Sequence, residues 1–191
     1  MTTPRFLQPG DTIGICATAR WMTAEQMAPA IAEIESWGLK VVVMNQVWKQ
    51  QGQLAGSDDD RIHGLLECIQ CVDIDAVLIA RGGYGTVRVV DAIPDEVILK
   101  NPKWLCGYSD ITVLHNKWNQ LGLSTIHSTM PISFTSCTPR ALQQLRGALM
   151  GSWESTEWMG KSRNWKEITA PIVGGNLSVV YSQLGSSTQL D

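Results

Sequence analysis

Long apolar runs are missing from this 191-residue chain, and so is any excess of one charge. No stretch approaches the roughly 20 apolar residues that a membrane-spanning helix needs. Fifteen Lys and Arg against 18 Asp and Glu leave a net charge of -3, which offers nothing to nucleic acid or an anionic membrane. The opening Met1-Thr2-Thr3-Pro4-Arg5 lacks the apolar core of a secretory signal, so a cytoplasmic protein is expected. Histidine is scarce, with three residues, and the five cysteines are odd in number and sit mostly in apolar segments. That usage fits reduced, buried thiols rather than a disulfide framework. Cys68-Ile69-Gln70-Cys71 has C-x-x-C spacing with His63 nearby. A zinc site needs more ligands, and a redox motif opens a helix rather than closing one. Neither a metal nor a cofactor is expected.

What the chain does have is short apolar runs alternating with helical spacing. Pro9-Gly10-Asp11 leads into a strand, Thr12 to Ala17. Thr23 and Gln26 form a capping box for a helix with Met27, Ile31 and Ile34 inward, although Pro29 either kinks it or delays its start by a turn. Gly38 ends that helix and Lys40 to Met44 is the second strand. After a polar loop, Trp48 to Gly56, Ser57 caps a helix whose apolar face is Ile62, Leu65, Leu66 and Ile69. Asp75 to Ala80 is the third strand, and Val87, Val90 and Ile93 predict a short helix after it. Lys103 to Tyr108 is the fourth strand, followed by a helix carrying Ile111, Leu114, Trp118 and Leu121, and Ser124 to His127 is the fifth. Thr138-Pro139 opens another helix with Leu142, Leu145 and Leu149 inside and Gly151 as its stop. Near-continuously apolar strands alternating with helices imply a parallel α/β sheet covered on both faces, with ligands at the carboxyl ends of the strands.

The organisation changes after residue 150. Residues 1–150 read as one α/β domain and 151–167 as a polar linker or edge ribbon containing Trp153, Trp158 and Trp165. Residues 168–191 read as the start of a second, incomplete domain, with Ala170 to Asn176 as a strand and tight turn feeding a helix of Leu177, Val180, Tyr181 and Leu184. The three tryptophans suit linker packing or a subunit contact better than a sugar platform.

Two stretches at the carboxyl edge of the sheet carry the chemistry. Arg81-Gly82-Gly83-Tyr84-Gly85 follows the third strand. It lacks the spacing of a dinucleotide fingerprint and the Lys-Ser/Thr of a P-loop, which excludes a phosphate-binding role of those kinds. Read locally it is either a plain turn or a loop whose N–H groups approach a ligand closely. Gly107-Tyr108-Ser109-Asp110-Ile111-Thr112 turns the fourth strand sharply into a helix. Ser109 there is either an N-cap or a nucleophile exposed at the positive end of a helix dipole. As a nucleophile it would find one oxyanion donor in the Arg81–Gly85 loop and the other in the N–H of Asp110.

These two motifs, with Ala55-Gly56-Ser57-Asp58 and Arg61 ahead of them and Gly174-Gly175-Asn176-Leu177 behind, resemble the LD-carboxypeptidases. This family of serine peptidases includes the microcin-immunity hydrolases. The likeness runs from Pro9-Gly10-Asp11 to the last residues, in the family's order. It implies a flavodoxin-like or class I glutamine-amidotransferase-like parallel sheet bearing the nucleophile, followed by a smaller second domain. It maps the nucleophile onto Ser109 and the oxyanion N–H groups onto Asp110 and Gly83. The implied substrate is a small murein tetrapeptide-like peptide, cut before its terminal D-amino acid through an acyl-enzyme. The alternatives are an aminoacyl-nucleotide-like antibiotic as substrate, or a non-catalytic binding module. Self-association as a homodimer is the expected protein contact.

The family's triad is Ser-Glu-His, and its Glu and His lie in the second domain, beyond Asp191. The three histidines present do not replace them. His63 and His115 fall on helices. His127 ends a strand where the family continues His-Gly-Pro, whereas this chain reads His127-Ser128-Thr129-Met130-Pro131. Losing base and orienting acid while keeping the oxyanion hole costs on the order of 10⁴- to 10⁶-fold in rate. The chain, read as a truncated form, is therefore expected to be inactive alone.

Overall fold

The computed structural model describes residues 1–153 and 169–190. Five short strands, β1 (Thr12–Cys16), β2 (Lys40–Val43), β3 (Ala76–Ile79), β4 (Trp104–Gly107) and β5 (Ile126–His127), pair in parallel in the order β2-β1-β3-β4-β5. Ile15 lies opposite Val43 on one side and Leu78 on the other, Leu78 opposite Cys106, and Gly107 opposite His127. Among the described residues six helices surround the sheet: α1 (Ala24–Ser36), α2 (Asp58–Gln70), α3 (Asp95–Lys100), α4 (Thr112–Gln120), α5 (Pro139–Met150) and α6 (Leu177–Ser182).

The strand sequences explain the two-layer cover. β1, β3 and β4 are buried along their whole length, as strands packed on both faces must be. Successive side chains point to opposite faces. Ile13, Ile15, Ala76, Leu78 and Cys106 pack with Met27 and Ile34 of α1 and Leu145 and Leu149 of α5. Val77, Ile79 and Leu105 pack with Leu65 and Ile69 of α2, Ile98 of α3 and Leu114 and Trp118 of α4. Among the described residues no helix is long and apolar enough to cross a membrane.

Local signals set most of the boundaries. The Thr23–Gln26 capping box is formed, and α1 starts at Ala24 rather than a turn later. Pro29 is tolerated because it lies on the exposed side, where the carbonyl it leaves unbonded can turn to water. Ser57 caps α2 in a reciprocal pair with Asp60, and Thr138 caps α5, which Gly151 ends in the left-handed region at φ 75°.

Two expectations need correction. The helix predicted around Val87 and Ile93 is two 3-10 turns, Thr86–Arg88 and Val90–Ala92. Pro94 disfavours helical backbone at Ile93, which is extended at ψ 110°, so too few residues remain after Gly85 for an α-helix. Helix α3 then starts directly after that proline.

The strand expected at 170–176 is also absent. This stretch crosses the start of α4 with no strand beside it, and the Asn176 N–H donates to Thr112 Oγ1 at 2.9 Å. Helix α6 is rotated from the predicted phase: Leu177, Tyr181 and Leu184 are exposed, while Val179 and Gln183 turn inward. The proposed linker lies mostly outside the described residues, together with Trp158 and Trp165. Trp153 lines a groove of about 770 Å³ with Phe6, Trp104 and Leu145.

Candidate active site

β4 ends in extended backbone at Tyr108 (φ -148°), and the next residue, Ser109, has φ 62°. It is the one non-glycine residue in the left-handed region among the described residues. That conformation costs an L-residue about 1–2 kcal/mol, and it persists only where the surroundings enforce it. The surroundings here are tight. A Cβ on Gly107 would lie 2.9 Å from Ile111 Cγ1, so the chain can fold back on itself only if residue 107 is glycine. The turn continues as a 3-10 segment, Ser109–Ile111, into α4. Ser109 caps neither of them by its side chain, so the N-cap reading is not what the turn uses. Its half-buried side chain stands instead at the carboxyl edge of the sheet.

The Arg81–Gly85 loop leaves β3 on the neighbouring strand, and its glycines answer three separate contacts. A Cβ on Gly82 would lie 3.6 Å from Ser109 Cβ and 3.3 Å from Met130 Cε. Gly83 has φ 148° and lies under the Arg20 side chain. A Cβ on Gly85 would lie 2.7 Å from Arg61 Nη1 and 3.2 Å from Ala19 Cα. The N–H groups of Gly83 and Asp110 donate to no protein acceptor among the described residues. Two free N–H groups on loops flanking a serine are what stabilisation of a developing oxyanion requires.

A buried polar network holds loop and turn together. The Asp110 carboxylate accepts from the Thr86 N–H at 3.1 Å and from the Thr86 hydroxyl at 2.7 Å. With that proton committed, Thr86 accepts from the Thr18 hydroxyl, 2.8 Å away. The Thr18 carbonyl accepts from Arg61 Nη1 at 2.8 Å, and the Gly85 carbonyl from the same nitrogen at 3.1 Å. Arg61, whose side chain is 0% exposed, pairs with Asp58, which also binds Arg88 at 2.7 Å. Burial raises the Asp110 carboxyl above its ordinary range, opposed by the Thr86 bonds and the Arg61 charge. Burial likewise lowers the Arg61 guanidinium.

Thr18 and Thr86 gave no signal in the sequence, because isolated threonines have no diagnostic spacing. Arg61 had one: it precedes Leu65 by one helical turn, which puts it on the inward face of α2.

The histidines are placed apart from this role. His115 is buried on α4, its Nε2 3.0 Å from the Gly107 carbonyl and its Nδ1 2.8 Å from Thr125 Oγ1. A carbonyl only accepts, so Nε2 carries the proton and Nδ1 accepts from Thr125. Burial pushes its pKa down to about 4, so it is neutral at pH 7. Its contribution is to clamp the end of β4 just before the turn. His127 is exposed beside Tyr108, with ring centroids 6.5 Å apart, at the mouth of a shallow hollow of about 420 Å³ that also includes Ser128 and Thr129. His63 is exposed on α2. Among the described residues no histidine hydrogen-bonds to Ser109.

The chain is 32% identical to a probable murein peptide carboxypeptidase of Bacillus subtilis (strain 168), over 98% of this chain and 61% of that protein. It is 28% identical to a murein tetrapeptide carboxypeptidase of Pseudomonas aeruginosa, over 94% of this chain and 62% of that protein. It thus spans about three fifths of the length of these curated relatives. The crystal structure of an MccF-like protein from Bacillus anthracis str. Ames shares the fold at a TM-score of 0.86 and 22% identity, covering 100% of this chain and 67% of that one. The model of the LD-carboxypeptidase N-terminal domain matches residues 13–128, a span that holds both the glycine loop and the serine turn, and the chain belongs to that family.

Proposed function

We propose that this chain carries the nucleophile and oxyanion half of a serine carboxypeptidase that removes a terminal D-amino acid from murein-type peptides. Ser109 Oγ attacks the carbonyl carbon of the last amide, and the oxygen that becomes negative is held by the N–H groups of Asp110 and Gly83. The C–N bond breaks, the leaving amine takes a proton, and the peptide stays on Ser109 as an ester. Water then attacks the ester and frees the shortened peptide and the serine. The observation that carries this reading is Ser109 held at φ 62° against Gly82, a strained strand-to-helix turn that presents a hydroxyl rather than capping a helix.

A serine hydroxyl needs a base to take its proton and a second group to orient that base. His115 cannot serve, since both ring nitrogens are engaged and burial, by pushing its pKa down to about 4, makes it a weak base. His127 has no carboxylate partner among the described residues. On this reading residues 1–150 form the nucleophile-bearing unit, 151–167 link it, and 168–191 begin a second unit. The 191-residue chain alone is inactive, and the triad Glu and His come from outside it.

D-alanine release from a murein tetrapeptide tests the proposal. The chain by itself should release none above blank. A form extended by the remaining two fifths of such a relative should release it, and Ser109→Ala in that form should abolish it. Undiminished release from the Ser109→Ala form would overturn the assignment. Turnover of an aminoacyl-sulfamoyl nucleoside in place of the tetrapeptide would move the substrate to the microcin-immunity class.

A further inference from the structure

We propose that Arg20 binds the free carboxylate of the residue that leaves the substrate, and so makes this site select a C-terminal acid. The proposal rests on the reading of Ser109 as nucleophile. It begins from the sheet order. β1 and β3 are neighbours, yet β1 is followed by β2 on one side and β3 by β4 on the other. The loops after them therefore part and open a crevice at the carboxyl ends of the two strands, the place where ligands bind in such sheets.

Arg20 belongs to the loop after β1 and Gly83 to the loop after β3, and they touch across that crevice. A Cβ on Gly83 would lie 2.8 Å from Arg20 Cγ, 3.0 Å from Cδ and 3.1 Å from Nε. The main chain that carries Arg20 is held in place. It forms an antiparallel bridge with Leu54, and the Ala55 N–H donates to the Ala19 carbonyl at 2.9 Å.

The head of Arg20 has no anion. Nη2 donates to the neutral Gln53 Oε1 at 2.9 Å, the buried Nε donates to nothing, and no carboxylate lies within ion-pair distance among the described residues. Arg5, Arg61, Arg88, Lys49 and Lys117 each sit on an aspartate. Arg81, Arg140 and Arg146, like Arg20, do not, but of these four only Arg20 has a buried guanidinium nitrogen without a partner among the described residues. A guanidinium fork without a resident acid is suited to a planar carboxylate from a ligand.

Its place relative to the reacting atoms fits. In a peptide whose last residue leaves, only the amide nitrogen and one carbon separate the terminal carboxylate from the carbon under attack. The group that holds that carboxylate must therefore stand next to the oxyanion loop. Gly82 packs on Ser109 and the adjacent Gly83 packs on Arg20. A peptide with an amide or a further residue at that end would place no charge beside Arg20, which makes the site an exopeptidase site rather than one that cuts anywhere.

Calorimetric binding to the 191-residue chain tests this with two probes, a murein tetrapeptide ending in D-alanine and the same peptide ending in D-alaninamide. The acid should bind about tenfold more tightly than the amide. Arg20→Gln should erase that preference by weakening the acid alone, and Arg20→Lys should restore part of it. The melting temperature of Arg20→Gln should match that of an Arg140→Gln surface control. An acid preference that survives Arg20→Gln overturns the proposal, as does equal binding of both probes by the unaltered chain. Either result leaves the Ser109 assignment standing, because that one is decided by D-alanine release from the extended form.

Discussion

Asp110 accepts two hydrogen bonds from Thr86, from its N–H at 3.1 Å and its hydroxyl at 2.7 Å, and so locks the turn after β4 to the loop after β3. The two N–H groups assigned to the oxyanion belong to Asp110 and Gly83, one on each side of this lock. Their spacing is set by a side-chain contact rather than by either backbone turn alone, and the consequences can be measured.

Thr86→Val removes the hydroxyl while nearly keeping the shape. It should lower stability at pH 7 by about 1–3 kcal/mol, the cost of a buried carboxyl group losing a donor. Burial raises the pKa of Asp110 in the fold, so acid titrates it there before a free aspartate. The deficit of Thr86→Val should therefore shrink as pH falls and Asp110 takes a proton. Denaturant unfolding of both proteins across that range checks it, and a deficit independent of pH would count against the lock.

Gly85→Ala should destabilise the fold by about 1–3 kcal/mol. The new methyl group would meet Arg61 Nη1 at 2.7 Å and Ala19 Cα at 3.2 Å. Neither can yield, since Arg61 is pinned by two carbonyls and Asp58. Thermal unfolding at neutral pH reports the loss.

Ser109→Gly and Ser109→Ala should reverse the order expected of an ordinary position. Alanine retains the penalty of φ 62°, whereas glycine does not. The glycine variant should be the more stable by about 1 kcal/mol. Urea midpoints of the pair decide it, and a more stable alanine form would show that the turn relaxes.

His115 predicts an acid-sensitive window. Its pKa is about 4 in the fold against an ordinary 6.5, so the unfolded chain binds this proton more tightly. Its stabilising contribution is complete above pH 6.5 and is lost as pH falls from 6.5 toward 4. The loss over that window is about 3 kcal/mol. His115→Gln keeps a donor for the Gly107 carbonyl and does not titrate, so its stability should fall less over the same window. Parallel slopes for the two proteins would refute the assignment.

Gly175→Ala should release the C-terminal segment from the body of the protein. A Cβ there would collide with Thr112 Oγ1, the atom that receives the Asn176 N–H. Limited proteolysis should then cut near residues 170–190 sooner than in the unaltered chain, with the sheet intact.

The parallel sheet was legible in the sequence because its strands are covered on both faces, so each shows as a short run of apolar residues between turn signals. Helix starts were legible where a cap residue and its partner lie three positions apart, as at Thr23 and Ser57. These are short-range constraints, and the chain states them locally. The segment from Val87 to Ile93 was misread because apolar spacing there suited a helix, while Pro94 set the limit from outside the pattern. The phase of α6 was misread for a different reason. Which side of a short helix is inward depends on what it lies against, and that is α4.

For the serine turn, the sequence by itself determined that residue 109 follows an apolar strand, a glycine and a tyrosine, and that a glycine-rich loop follows the strand before. It left open whether the hydroxyl caps the helix or faces a ligand. The tertiary structure shows that it does not cap the helix. Ile111 packs closely on Gly107, Ser109 lies in the left-handed region, and its hydroxyl caps neither helical segment. Only the fold brings Thr18, Arg61, Thr86 and Asp110, drawn from four separate segments, into one buried network under that turn. Their partners lie 24 to 68 residues apart in the chain, and contacts over such distances leave no periodic trace in a sequence.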